Sequence, residues 1–74
     1  MNTLYSMTVR GRNSLAIFNA STGHVIKLIT VDGDIVGSPN VSGDTGLVNV
    51  IKNGSSKTYV YNLTNGTVKK IFNT

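Results

Sequence analysis

Between Leu4 and Arg10 apolar and polar side chains alternate, with Tyr5, Met7 and Val9 set against Ser6, Thr8 and Arg10. That two-residue period predicts a half-buried strand. The next segment, Ser14–Asn19, is apolar at both parities, Leu15 and Ile17 on one side and Ala16 and Phe18 on the other. It predicts a strand covered on both faces. His24–Thr30 reads as a third strand with Lys27 in its middle, and Ile35–Val41 as a fourth extended segment broken by Gly37 and Pro39. A proline has no amide hydrogen for the ladder, so Pro39 belongs at an edge, a strand end or a bulge. Leu47–Lys52, Thr58–Asn62 and Thr67–Phe72 complete seven predicted strands, and no segment predicts a helix. Turns are expected at Gly11-Arg12-Asn13, Asn19–Gly23, Asp32-Gly33-Asp34, Ser42–Gly46, Asn53-Gly54 and between the last two strands at Asn62–Gly66. The pairs Asp-Gly and Asn-Gly are read as hairpin signals.

The pattern repeats. Ser14–Thr30 recurs without a gap as Lys57–Asn73, an offset of 43 residues. Extending that register pairs Leu4 with Leu47, Gly11 with Gly54, Asn19 with Asn62, Gly23 with Gly66, Val25 with Val68 and Lys27 with Lys70. Three of these identities are turn residues at equivalent joints, as a repeated supersecondary unit requires. The expected organisation is one domain over residues 1–74 made of two repeats, 4–31 and 34–74.

In the second repeat, Gly37-Ser38-Pro39-Asn40-Val41 is a small residue, then Ser-Pro, then an apolar residue. It is followed by the turn Ser42-Gly43-Asp44 and by the aromatic strand Tyr59-Val60-Tyr61-Asn62 with Asn65-Gly66 after it. This order resembles one blade of a β-propeller of the pyrroloquinoline-quinone-repeat or related YVTN type. The resemblance implies four-stranded antiparallel blades. Two departures stand out: the acid that commonly ends the third strand is Asn at Asn19 and Asn62, and Ile29 and Phe72 stand where a Trp is expected. Quinone binding is therefore not carried over, and no cofactor is expected. The first repeat has no counterpart of the innermost strand before Leu4, so the chain amounts to about one and three-quarter blades where a closed propeller needs roughly four to eight. The expected fold is all-β: two antiparallel sheets of three to four strands, propeller-blade-like, or else a seven-stranded sandwich. The unpaired edge Leu4, Tyr5, Ser6, Met7, Thr8, Val9 and Arg10 is the candidate interface for a neighbour.

Composition sharpens this picture in a few places. A chain of 74 residues buries only about 60% of the surface that it exposes unfolded, so help from a partner is expected. With no Cys there is no disulfide framework and no thiolate metal site. The opening MNTLYSMTVR lacks the apolar run of a signal peptide or membrane span, so synthesis in the cytoplasm and no membrane contact are expected.

Candidate chemistry is sparse. There are three Asp, no Glu and one His, and acid–base catalysis needs titratable groups within reach of each other. His24 has no acid near it in sequence. Asp32-Gly33-Asp34 lacks the further acids and closing Glu of a calcium loop, and no Gly-x-Ser-x-Gly elbow is present. Catalytic, cofactor and metal sites are all expected to be absent. Asn-x-Ser/Thr triplets begin at Asn19, Asn40, Asn53, Asn62 and Asn65; without a signal peptide they read as turn composition.

The net charge of +4 is the balance of seven Lys and Arg against three Asp. Arg10 and Arg12 flank one predicted turn, and Lys52 and Lys57 flank its counterpart, which makes a candidate basic rim for an anionic partner. No aromatic side chains are interleaved with these charges, as single-strand binders use, so nucleic acid is not the expected partner. Such residues also discourage unwanted strand pairing. Tyr5, Tyr59 and Tyr61 are the platforms available to a ligand- or glycan-binding module, the alternative function. The leading expectation is a non-enzymatic structural protein that forms homo-oligomers or decorates a larger assembly, a phage or virus particle above all.

Overall fold

The structure is a computed structural model and describes residues 1–73. It is all-β, with seven strands in chain order: β1 (Asn2–Val9), β2 (Arg12–Asn19), β3 (Val25–Thr30), β4 (Asp34–Ser42), β5 (Thr45–Lys52), β6 (Ser55–Asn62) and β7 (Thr67–Asn73). They form two antiparallel sheets, β1-β2-β3 and β4-β5-β6-β7, each a meander of sequential neighbours. The sheets do not close into a barrel. The expected strands are all present, several of them one to three residues longer than the apolar pattern alone implied.

The two sheets meet face to face. Leu4, Leu15 and Ile17 come from the first sheet, and Val48, Val50 and Tyr61 from the second, joined by Leu63 just beyond β6. Register explains the choice. Leu4 lies opposite Ile17 and Leu15 opposite Ile29, so these side chains share one face of the first sheet. In the second sheet Val48 lies opposite Tyr59 and Gly46 opposite Tyr61, which sets them together on the facing surface. Leu15, Ile17 and Leu63 are fully buried, and burying each side chain of this kind contributes about 1.5–3 kcal/mol.

The 43-residue repeat is present in the backbone. Arg10-Gly11 and Asn53-Gly54 are two-residue turns with the same left-handed dihedrals, φ of 51° and 76° in each, as two-residue hairpins of matched twist require. Register shifts fall between Ile17 and Phe18 and between Val60 and Tyr61. The Gly23 amide donates to the Asn19 carbonyl at 2.7 Å, and the Gly66 amide to the Asn62 carbonyl at 2.8 Å. Each of these features recurs 43 positions on. Pro39 sits on edge strand β4, where pairing with β5 is interrupted between Val36 and Asn40.

Three expectations are corrected. The first turn is Arg10-Gly11 rather than Gly11-Arg12-Asn13, because Arg12 already pairs with Val9. Asp32-Gly33-Asp34 is not a hairpin; it carries the chain from β3 in one sheet to β4 in the other. Asn13 Nδ2 donates to the Gly33 carbonyl at 2.8 Å and to Asp34 Oδ1 at 3.3 Å, which holds this crossing in place. At Gly33, φ is 138° and a Cβ would stand 2.8 Å from the Ile51 carbonyl oxygen, so glycine is needed for close approach as well as for its dihedral. Finally, β2 meets the second sheet with one face only, although Ser14 and Ala16 on its other face are themselves buried. Leu15 and Ile17 lie under the second sheet, whereas beside Ala16 on the other face Tyr5 is 59% and Leu28 56% exposed.

Candidate functional site

The strand β1 is hydrogen-bonded on one side only, to β2, so Leu4–Val9 has an unpaired edge, with Arg10 in the turn beyond it. β4 passes close to β1 without forming a ladder. A shallow hollow between them is lined by Ser6, Met7, Thr8, Asn13, Ile35 and Gly37. Along this edge Leu4 is turned into the core, while Tyr5 and Met7 are exposed.

The four basic residues do not converge on one site. Arg10 and Arg12 border a hollow on the first sheet, with Val9, Ser14, Leu28 and Thr30. Lys52 and Lys57 border a separate hollow on the second sheet, with Val50, Ser55 and Tyr59. Asp32, delivered by the crossing between sheets, forms an ion pair with Lys52. The hydrogen bond to Asp32 and its negative charge raise the Lys52 pKa above its ordinary value. An exposed pair of this kind contributes little stability, yet it offsets one of the four rim charges.

The three tyrosines are divided as well. Tyr59 and Tyr61 stack at 6.3 Å between ring centroids with 16° between planes, on the face that meets the first sheet. Burial first, and the neighbouring Tyr59 second, raise the Tyr61 pKa. Tyr5 stands on the opposite, open side of the first sheet and shares no surface with them. His24 is an exposed residue of the β2–β3 turn, where its amide donates to Thr22 Oγ1 at 3.2 Å. Among the described residues no group of three or more His, Cys, Asp or Glu is placed to hold a metal ion. No helix among the described residues is long and apolar enough to cross a membrane.

Of the triplet asparagines, Asn19, Asn53, Asn62 and Asn65 serve turns, whereas Asn40, expected as turn composition, lies on β4 opposite Leu47. Asn19 Oδ1 accepts from the Ser21 and Thr22 amides, Asn62 Oδ1 from the Thr64 amide and Asn65 Oδ1 from the Thr67 amide. Each bond lets a short polar side chain replace a backbone partner in a tight turn.

In comparisons with protein families, with curated proteins and with solved structures, nothing matches this chain. What the molecule offers must be read from its surface.

That surface has one pronounced feature, which the strand pattern alone did not single out. Both outer sheet faces carry exposed apolar side chains, interspersed on the second sheet with Asn40, Asn49, Thr58 and Lys70. On the first sheet Tyr5, Met7 and Leu28 are 38–59% exposed beside the half-buried Phe18. On the second, Leu47, Ile51 and Phe72 are 40–45% exposed around the half-buried Val60. Large exposed apolar side chains gathered on one sheet face mark interaction surfaces. The signal that would have found them lies in the repeat: with two sheets meeting once, each keeps one of its two apolar faces free.

Proposed function

We propose that this chain is a non-enzymatic structural protein that assembles with copies of itself or onto a larger particle, acting as a capsid or tail accessory component of a phage or virus. The observation that carries the assembly reading is the group of large exposed apolar side chains on each outer face, Tyr5, Met7 and Leu28 on one sheet and Leu47, Ile51 and Phe72 on the other. A protein of this size gains much of its stability from covering such surface, and two faces on opposite sides suit a component that is contacted from both. The dispersed charges and the absence of a converging titratable set among the described residues accord with a structural role. The particle assignment rests on analogy of size and composition with small accessory capsid and tail proteins.

Mass photometry or sedimentation velocity of the purified chain at micromolar concentration tests the assembly reading. Species larger than 7.9 kDa are expected; a well-folded monomer overturns it. The particle assignment is tested by mass spectrometry of purified virions from the source of the gene, with loss of the peptide after gradient purification as the overturning result.

A further inference from the structure

The contact between the two sheets joins non-equivalent faces of the repeat. In the first sheet the buried face carries Leu4, Leu15, Ile17 and Ile29. Forty-three residues on, these positions are Leu47, Thr58, Val60 and Phe72, which form the open face of the second sheet. The second sheet's buried face, with Val48, Tyr59 and Tyr61, corresponds in turn to Tyr5, Ala16 and Phe18 on the open face of the first. Each open face is therefore the repeat counterpart of a face that already has a partner.

One residue pair that meets across the existing interface recurs in the sequence, whereas the close Gly46–Leu4 approach has Thr3 and Leu47 as its counterparts. Lys27 lays its stem over the buried Gly66, where a Cβ would come within 2.5 Å of Lys27 Cδ, and its Nζ donates to the Gly66 carbonyl at 3.2 Å. Both partners recur as identical residues, Lys70 and Gly23. Gly23 has nearly the same dihedral as Gly66, φ of 77° against 75°, but nothing lies within 4 Å of the space above it. Lys70 stands over the Phe72 ring at 4.9 Å on the open face of the second sheet. Donor and acceptor are both present, and they sit on opposite outer faces of one molecule.

We propose that a second copy of this chain sets the open face of its first sheet on the open face of the second sheet of the first copy, repeating the internal interface between molecules, with Lys70 of one copy over Gly23 of the next. The contact is head to tail, so it propagates as a ring or a filament. It deepens the assembly reading above and rests on it, adding which faces meet and in what register.

Two experiments test it. Leu28→Asp places a carboxylate on one open face and Phe72→Asp on the other; both sites are exposed and leave the core untouched. At a concentration where the unsubstituted chain assembles, each variant alone is expected to fall to monomer mass, and an equimolar mixture to shift to a one-to-one dimer through the two unblocked faces. Assembly by either variant alone, or a mixture that stays monomeric, overturns the head-to-tail contact.

The second experiment mixes Gly23→Cys with Lys70→Cys under oxidising conditions. Inside the molecule a Cβ at position 66 lies 3.5 Å from Lys27 Cβ, within the range of a disulfide, so Lys27→Cys/Gly66→Cys is the internal control with the same backbone strain. The mixture is expected to give predominantly the crossed dimer, identified by mass. Homodimers of either variant in equal or greater amount, or no crosslink where the control closes, overturn the register. Assembly that persists with neither result leaves the assembly reading standing and removes this contact; a monomeric parent chain removes both.

Discussion

Gly46 lies so close to Leu4 across the sheet interface that a Cβ on it would stand 2.8 Å from Leu4 Cδ2 and 3.0 Å from Leu63 Cδ2. The glycine is required by space and not by dihedral freedom, since its φ is not positive. Gly46→Ala should push both leucines from their positions and lower stability by about 1–3 kcal/mol, the usual cost of overpacking a filled core. Urea unfolding of this variant beside the parent chain measures it, and a midpoint equal to the parent's would show that the interface yields freely.

Truncation tests the same interface from the other side. Leu15 and Ile17 are both fully buried, and replacing either by Ala should cost about 2–5 kcal/mol through lost burial and the cavity left behind. In so small a protein that is a large part of the total, so the variants are expected to be substantially unfolded at 37 °C by circular dichroism.

Tyr61 makes stability depend on alkaline pH. Its pKa is raised in the folded state by burial first and by Tyr59 second, so the native form holds its proton more tightly than the unfolded chain. Its contribution is intact below the ordinary Tyr pKa and is lost as pH rises through the raised value. Tyr61→Phe should flatten the fall in thermal midpoint above about pH 10, the ordinary value for Tyr, while leaving neutral-pH behaviour close to the parent's.

The Lys52–Asp32 pair has the opposite expectation for stability. Lys52 is exposed, and its pKa is raised by the hydrogen bond and charge of Asp32. Asp32→Asn should return the Lys52 Nζ titration towards its ordinary range by NMR, with no resolvable change in the thermal midpoint.

Asn19 and Asn62 hold equivalent turns through their side-chain oxygens. Replacing either by Ala removes acceptors for turn amides, and a cost of about 0.5–1.5 kcal/mol is expected from each lost bond. Asn19 receives two such bonds and Asn62 one, so Asn19→Ala should be the more damaging of the two in thermal melts.

Much of this architecture was written along the chain. Alternation in Leu4–Arg10 determined a strand, Asn53-Gly54 determined a two-residue hairpin turn, and the gap-free recurrence of Ser14–Thr30 at Lys57 determined two like units, because strand period and turn chemistry are local properties of neighbouring residues. The tertiary structure decided what local pattern could not. Asp32-Gly33-Asp34 has the composition of a hairpin turn, and only the pairing of β3 with β2 and of β4 with β5 made it a crossing between sheets. Leu15 and Phe18 are equally apolar; which of them is buried depended on which face the second sheet came to cover. Likewise Lys52 found Asp32 and Lys27 found Gly66 through contacts 20 and 39 residues apart. Burial is a relation between segments distant in the chain, so a strand that is apolar on both sides shows that two partners fit, and only packing shows that one of those places is still open.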